Sequence, residues 1–328
     1  MSITSKQMRD INLHAVRRAL MPNNVKTAGE IAGETNLSIV TVNALLKDMS
    51  DAGEVTRGAG VSAGGRPGAV YTYNSRYKLA AVIYGFFKND SLNIVLSVVD
   101  FAGESIHRDS VSINEVEQTS FDAMLDSAFA KFDNIAVIAL GLPGVEKNGV
   151  ILLNDFRALE GAQFISRIQS RYGAKTFFVN DINGAANGFY HRCARNCASA
   201  SAIWFPRVFC PGVGLVINGK IHKGYSNFAG EIASLPIGVD WRSIDYSSAD
   251  EAEAAAARLV ASVCCIAAPE KTVLYGDFWR AQSGQNISRQ VERMLDCAFQ
   301  IETQTAQWFE RDFELGLTLE ALNSITFS

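Results

Sequence analysis

No stretch of about 18 consecutive apolar residues occurs in this 328-residue chain, so the sequence predicts no membrane-spanning helix. A charged-then-apolar leader of the secretory type is missing from the N-terminus too, and the expectation is a cytoplasmic protein with no membrane partner. Cysteine is sparse and unpaired in its spacing: six residues fit reduced thiols better than a disulfide framework. An excess of positive charge is also lacking, and a formal net charge of −4, taken alone, argues against a nucleic-acid binder. What the chain does have is apolar material, 48% of its residues, enough for sizeable cores in two or three domains.

The distribution of charge points the opposite way from its sum. Residues 1–78 carry ten Lys and Arg against six Asp and Glu, leaving twenty against twenty-eight for the remainder. A basic head on an acidic body suits a DNA-reading domain attached to a larger one, although chance asymmetry would look the same. Within the head, residues 27–53 organise the reading. Thr27 and Glu30 have capping-box spacing. Asn36 and Leu37 make a turn, Ser38 caps a second helix to about Ala52, and Gly53 stops it. On that second helix Val42, Leu45, Leu46 and Met49 form one apolar stripe, leaving Val40, Asn43, Ala44 and Lys47 outside. Two helices so joined have the form of a helix-turn-helix, whose second helix enters the DNA major groove.

Ahead of this pair, residues 6–20 read as a helix ended by Pro22-Asn23-Asn24, with Met8, Ile11 and Ala15 inward and Arg9, Arg17 and Arg18 outward. After it, residues 54–57 and 69–73 read as strands flanking Gly64-Gly65-Arg66-Pro67, either a wing able to enter a narrow minor groove or a plain flexible hairpin. Asn43, Lys47 and Thr41 are the candidates for base or phosphate contact, since Asn pairs with adenine and Lys with guanine or phosphate. Val40 and Ala44 suit thymine methyls, and Arg17, Arg57 and Arg66 suit phosphates or the minor groove.

Beyond residue 78 strand-like segments at 79–86, 92–99 and 104–112 precede a helix at 120–132. A buried strand at 135–140, a helix at 164–172, a strand at 176–179 and a helix at 181–193 come next, and a second strand set opens at 201–205 and 213–217. The last hundred residues read as mostly helical, broken by a strand at 271–275. Strand triplets followed by helices, twice over, predict a two-lobed α/β body with a cleft between the lobes. The predicted boundaries are 1–75 for the head, 78–185 for the first lobe and 186–328 for the second.

Several motifs then occur in an order that resembles the ROK family, which groups sugar-responsive bacterial repressors with sugar kinases. In the head these are Arg9-Asp10-Ile11-Asn12, Leu37-Ser38, Thr41-Val42 and Gly65-Arg66-Pro67; in the body Gly141-Leu142-Pro143-Gly144, Asn180-Asp181-Ile182-Asn183, Gly214 to Gly219, Ala229-Gly230-Glu231-Ile232, Val273 to Gly276 and Leu315-Gly316. The resemblance implies a winged helix-turn-helix followed by the two-lobed, actin-like (ribonuclease H-like) sugar-kinase body. It implies a repressor binding a double-stranded operator as a homodimer, with a sugar or sugar phosphate as effector.

The phosphate loops depart from the family. Where it has Asp-x-Gly-Gly-Thr, this chain has Lys88-Asn89-Asp90-Ser91-Leu92, and where it has Gly-Thr-Gly-x-Gly, Val208-Phe209-Cys210-Pro211-Gly212 stands. Pro211 offers no N–H, Phe209 fills phosphate space, and Gly276-Asp277 replaces a pair of glycines on the adenine side. The expectation is a body that is not an enzyme and holds no cofactor. Asp181, a general base in family kinases, then has no reaction to serve; with Asn180 and Glu231 it either accepts sugar hydroxyls or, with Asn180, only caps the helix starting there. Ser234 replaces a family histidine and the cysteine-rich zinc segment is absent; Cys264-Cys265 read as buried on a helix, and His191, Cys193 and Cys197 as one helix without a ligand face, so no metal is expected. Two alternatives stay open: a carbohydrate kinase with an appended head, and a DNA-binding regulator with a vestigial, ligand-free cleft.

Overall fold

The computed structural model describes residues 4–20, 24–60, 68–88, 91–153, 157–207, 209–233, 235–296 and 302–326. Pro22, Asn23, Gly64, Gly65, Arg66, Pro67, Asn89, Asp90, Val208 and Ser234 fall outside them, as do the side chains of Lys88 and Ser91.

The head comprises α1 (Ser5–Leu20), β1 (Lys26–Thr27), α2 (Ala28–Thr35), α3 (Ile39–Asp51), β2 (Val55–Ala59) and β3 (Ala69–Tyr73), with strand order β1-β3-β2. Local chemistry sets its boundaries. The Thr27 side chain accepts from the Glu30 N–H while the Glu30 carboxylate accepts from the Thr27 N–H at 2.7 Å, the reciprocal capping box. Asn36 ends α2 in the left-handed region at φ 56°, Ser38 caps α3, and Gly53 turns the chain at φ 75°. Val42, Leu45, Leu46 and Met49 are buried against Val16, Leu20 and Ile31, each such side chain contributing about 1.5–3 kcal/mol.

The first helix corrects the sequence reading. Met8 and Ile11 are 47% and 52% exposed, and the buried stripe is Val16, Ala19 and Leu20. Only the C-terminal half of α1 is buried, so the same periodicity has no inward side in its first turns.

In the body, β4 (Leu79–Lys88), β5 (Ser91–Val99) and β6 (Ser105–Ile113) form an antiparallel meander, followed by α4 (Asp122–Lys131) and β7 (Ile135–Leu142). A hairpin of β8 (Val145–Lys147) and β9 (Val150–Leu153) precedes α5 (Phe164–Tyr172), β10 (Lys175–Asn180) and α6 (Asp181–Phe189). The first sheet has the order β10-β7-β4-β5-β6, parallel at β4–β7 and β7–β10. Phe121, Leu125, Phe164 and Ile168, from α4, α5 and the turn before α4, cover one face of it.

The second sheet, order β13-β12-β11-β14-β15, is built from β11 (Ser199–Trp204), β12 (Gly212–Ile217) and β13 (Lys220–Ile221), then α7 (Ala249–Ala267), β14 (Lys271–Tyr275), α8 (Ser283–Leu295) and β15 (Glu302–Ala306). The sequence pattern does not predict β15. Its residues ETQTA offer no apolar alternation because it is an edge strand, held by parallel pairing to β14.

The last helix, α9 (Phe309–Thr326), packs on α6 and on β4 and β7 of the first sheet. Glycines permit that approach: a Cβ on Gly188 would lie 1.9 Å from the Asp312 carbonyl oxygen, and one on Gly316 would lie 1.9 Å from that of Gly184. Since α6 also touches β11 and β12, the α6–α9 pair lies between the two sheets, and the cleft opens at the N-terminus of α6. Head and body are in direct contact. Tyr73 meets Phe101 at a ring-centroid distance of 4.9 Å, the Phe101 N–H donates to the Ser75 carbonyl at 2.7 Å, and α1 touches α9.

Candidate nucleic-acid interface and ligand cleft

On the head, Val40 is 75% exposed, and Asn43, Ala44 and Lys47 are exposed beside it, one turn apart along α3. Thr41 is half-buried. Its hydroxyl lies 2.8 Å from the Ser38 hydroxyl, which accepts from the Thr41 N–H at 3.1 Å, so part of its polar capacity serves the cap. Lys47 Nζ lies 3.6 Å from Asp51, an exposed pair that screening leaves weak. Arg57 is exposed on β2; Arg66 lies outside the described residues.

Arg17 is not on this face. Its Nε and Nη2 donate to the Glu54 carboxylate at 2.5 and 3.1 Å, with side-chain exposures of 13% and 5%. Burial works against its charge, but the hydrogen bond and charge of Glu54 outweigh burial and hold the guanidinium above its usual pKa. Two of its five N–H donors are thus committed to a buried carboxylate, which makes Arg17 an ion pair of the head's interior and draws its fork away from the outward placement the sequence predicted.

In the body, a cavity of about 510 Å³ opens where α6 begins. Asn180 caps that helix: its Oδ1 accepts from the Asn183 N–H at 3.0 Å, and its Nδ2 donates to the Gly144 carbonyl at 3.0 Å. Asp181 Oδ1 accepts from the Ile182 N–H at 2.8 Å. The capping reading is therefore realised for Asn180, and both side chains also line the cavity. Glu231 faces them from a loop bridged to Gly212, and desolvation by the surrounding protein pushes its carboxyl pKa up. Glu160, Trp204, Arg242 and Phe309 also line it and were missed in the sequence. The one signal that could have pointed to them was Trp204, at the end of the strand that leads into the loop carrying Phe209 and Pro211.

Bulky side chains stand where the sequence departs from the family pattern. Phe209 and Pro211 line the cavity; outside its lining, a Cβ on Gly276 would lie 2.7 Å from Trp279 Nε1 and 3.0 Å from the Phe278 ring. Asp277 accepts from Arg207 at 2.9 Å, whose guanidinium lies over Phe278. Among the described residues no three His, Cys, Asp or Glu side chains converge on a metal position. Cys265 is exposed, not buried as expected, because it faces away from the core that encloses Cys264; Cys197 lies past the end of the helical turn Tyr190–Ala194 that holds His191 and Cys193. Among the described residues no helix is long and apolar enough to cross a membrane.

Comparison with known proteins shows what the body is similar to. Residues 92–240 match the ROK family profile. A xylose repressor from Caldicellulosiruptor bescii is 24% identical over 243 residues, 70% of this chain and 59% of that protein. The chain thus spans less than two thirds of the length of the curated relatives it matches. Among solved structures, a ROK family transcriptional regulator described as a homologue of the E. coli MLC protein superposes with a TM-score of 0.69 at 14% identity, covering 98% of this chain and 97% of that one. The ROK hexokinase from Thermus thermophilus superposes on 75% of this chain, and 99% of its own, with a TM-score of 0.61 at 17% identity. At these identities the likeness establishes a sugar-kinase-like fold, shared by regulators and kinases.

Proposed function

We propose that this chain is a DNA-binding transcriptional repressor of carbohydrate-related genes, acting in the cytoplasm as a homodimer. In this reading residues 1–75 are a winged helix-turn-helix, with α3 in the major groove and β2–β3 as the wing. The body, divided near residue 185 into two lobes, is a non-catalytic relative of sugar kinases that dimerises and takes a sugar or sugar phosphate at Asn180, Asp181 and Glu231. The observation that carries it is the division of α3: one side is sealed in the core, while Val40, Asn43, Ala44 and Lys47 stand exposed on the other. The repressor relative and the regulator fold support the same reading. Phe209, Pro211 and the ring-packed Gly276 argue against phosphoryl transfer, which needs backbone N–H groups around phosphate.

The test is selection of bound fragments from random or genomic duplex DNA by the full chain. The expected product is a two-fold symmetric site with half-sites about 34–36 Å apart or a multiple of that, since two recognition helices would be related by the dimer axis. Enrichment of no sequence would overturn the proposal.

A further inference from the structure

The cleft lining is chemically mixed. Asn180, Asp181 and Glu231 offer the acceptors and donors a polyol needs, with Glu160 and Arg242 in the same lining. Beside them the lining holds apolar rings: Phe86, Trp204, Phe209 and Phe309, with Pro206 and Pro211. Trp204 is stacked on Phe309 at 4.5 Å and 19°, and Phe86 on Tyr84 at 5.8 Å and 28°, so packing fixes the orientation of both walls. A ring with an apolar face gains contact against such rings. The polar groups and the rings line one cavity of about 510 Å³, within the usual range for small-molecule sites.

We infer that the cleft takes a glycoside in preference to a free monosaccharide: a sugar ring held by Asn180, Asp181 and Glu231, whose ring-shaped aglycone lies on Trp204 and Phe209. This rests on the effector reading above and narrows it. A second sugar ring and an aryl group share the required chemistry, a flat face bearing C–H groups or π surface. Trp204 and Phe209 are then specificity residues. A side chain that spoils a phosphate site has become the floor of an aglycone site.

The full chain is titrated by calorimetry with glucose and xylose, with their phenyl glycosides in both anomeric forms, and with cellobiose, maltose and xylobiose; ADP forms a separate arm. The expected result is a glycoside bound about tenfold more tightly than its parent sugar, with a change in tryptophan fluorescence that Trp204→Phe removes. Phe209→Ala, checked for an unchanged melting profile, is expected to collapse that preference. If disaccharides show it and phenyl glycosides do not, the aglycone is a sugar; the reverse pattern makes it an aryl group. A parent sugar bound as tightly as its glycosides would overturn the inference and leave the effector reading standing. Absence of binding by every sugar and glycoside, in protein that still selects DNA, would overturn both. ADP bound more tightly than any glycoside would overturn the inference in favour of a nucleotide site.

Discussion

At the start of α3, Ser38 caps the helix and the next residues stand on an open, convex surface; at the start of α6, Asn180 caps in the same way inside a cavity. In both places a small polar residue satisfies backbone N–H groups that would otherwise lack partners. The residues beyond each cap differ. After Ser38 the exposed residues are the varied set Val40, Asn43, Ala44 and Lys47, suited to reading an extended surface. After Asn180 the helix is buried from Ile182 to Phe189, so only its first turn meets the cavity. A helix end is a generic device, and the surface around it decides whether it serves a macromolecule or a small ligand.

The largest effect on this comparison should come from the buried helix. Gly188→Ala forces a Cβ into the Asp312 carbonyl and is expected to destabilise the body by about 3 kcal/mol or more, read by denaturant unfolding. Arg17→Ala strands Glu54 and should destabilise the head by about 1–3 kcal/mol. Its residual DNA affinity, measured below the head's melting temperature, should keep the wild-type salt dependence; a shallower salt slope would return Arg17 to the phosphate contacts. Asn43→Ala and Lys47→Ala should each cost about 1–3 kcal/mol in operator binding with no loss of stability, and unchanged affinity would remove them from the interface. Gly33→Ala tests the head from the opposite direction. It lies in the short helix α2 with nothing within 4 Å of the new Cβ, and should gain about 0.5–1 kcal/mol.

The smallest effect belongs to Glu231, whose carboxyl pKa is raised by desolvation. A carboxyl raised on folding favours the folded state below its unfolded pKa, and that contribution disappears as pH rises through the folded value. Glu231→Gln should therefore be slightly more stable than the native chain at neutral pH, with the gap closing as pH falls into the ordinary carboxylate range. A gap independent of pH would mean that Glu231 does not titrate in the cleft.

Much of the fold was legible because its determinants are local. Thr27 and Glu30, Asn36, Ser38 and Gly53 fix the helix pair through caps and left-handed turns that need only near neighbours. The meander and the parallel strands of the body were legible for a related reason: their apolar patterns are strong enough to state which residues are buried. The polar strand β15 carries no such pattern, and its pairing to β14 comes from a partner about thirty residues earlier. Periodicity also placed Met8 and Ile11 inward, because spacing defines a stripe along a helix but not where along its length another surface covers it.

The candidate site divides along the same line. Residue type at a known spacing was enough to give α3 a sealed side and a free side, and to single out Phe209 and Pro211, which line the cleft. It could not show that Arg17 turns inward to Glu54, or that Glu160, Trp204, Arg242 and Phe309 meet Asp181 and Glu231 around one cavity. Those arrangements come from packing. The difference is one of range: caps and stripes are made by residues within a turn or two of one another, whereas an ion pair 37 residues apart or a cleft between two lobes exists only once the chain has folded on itself.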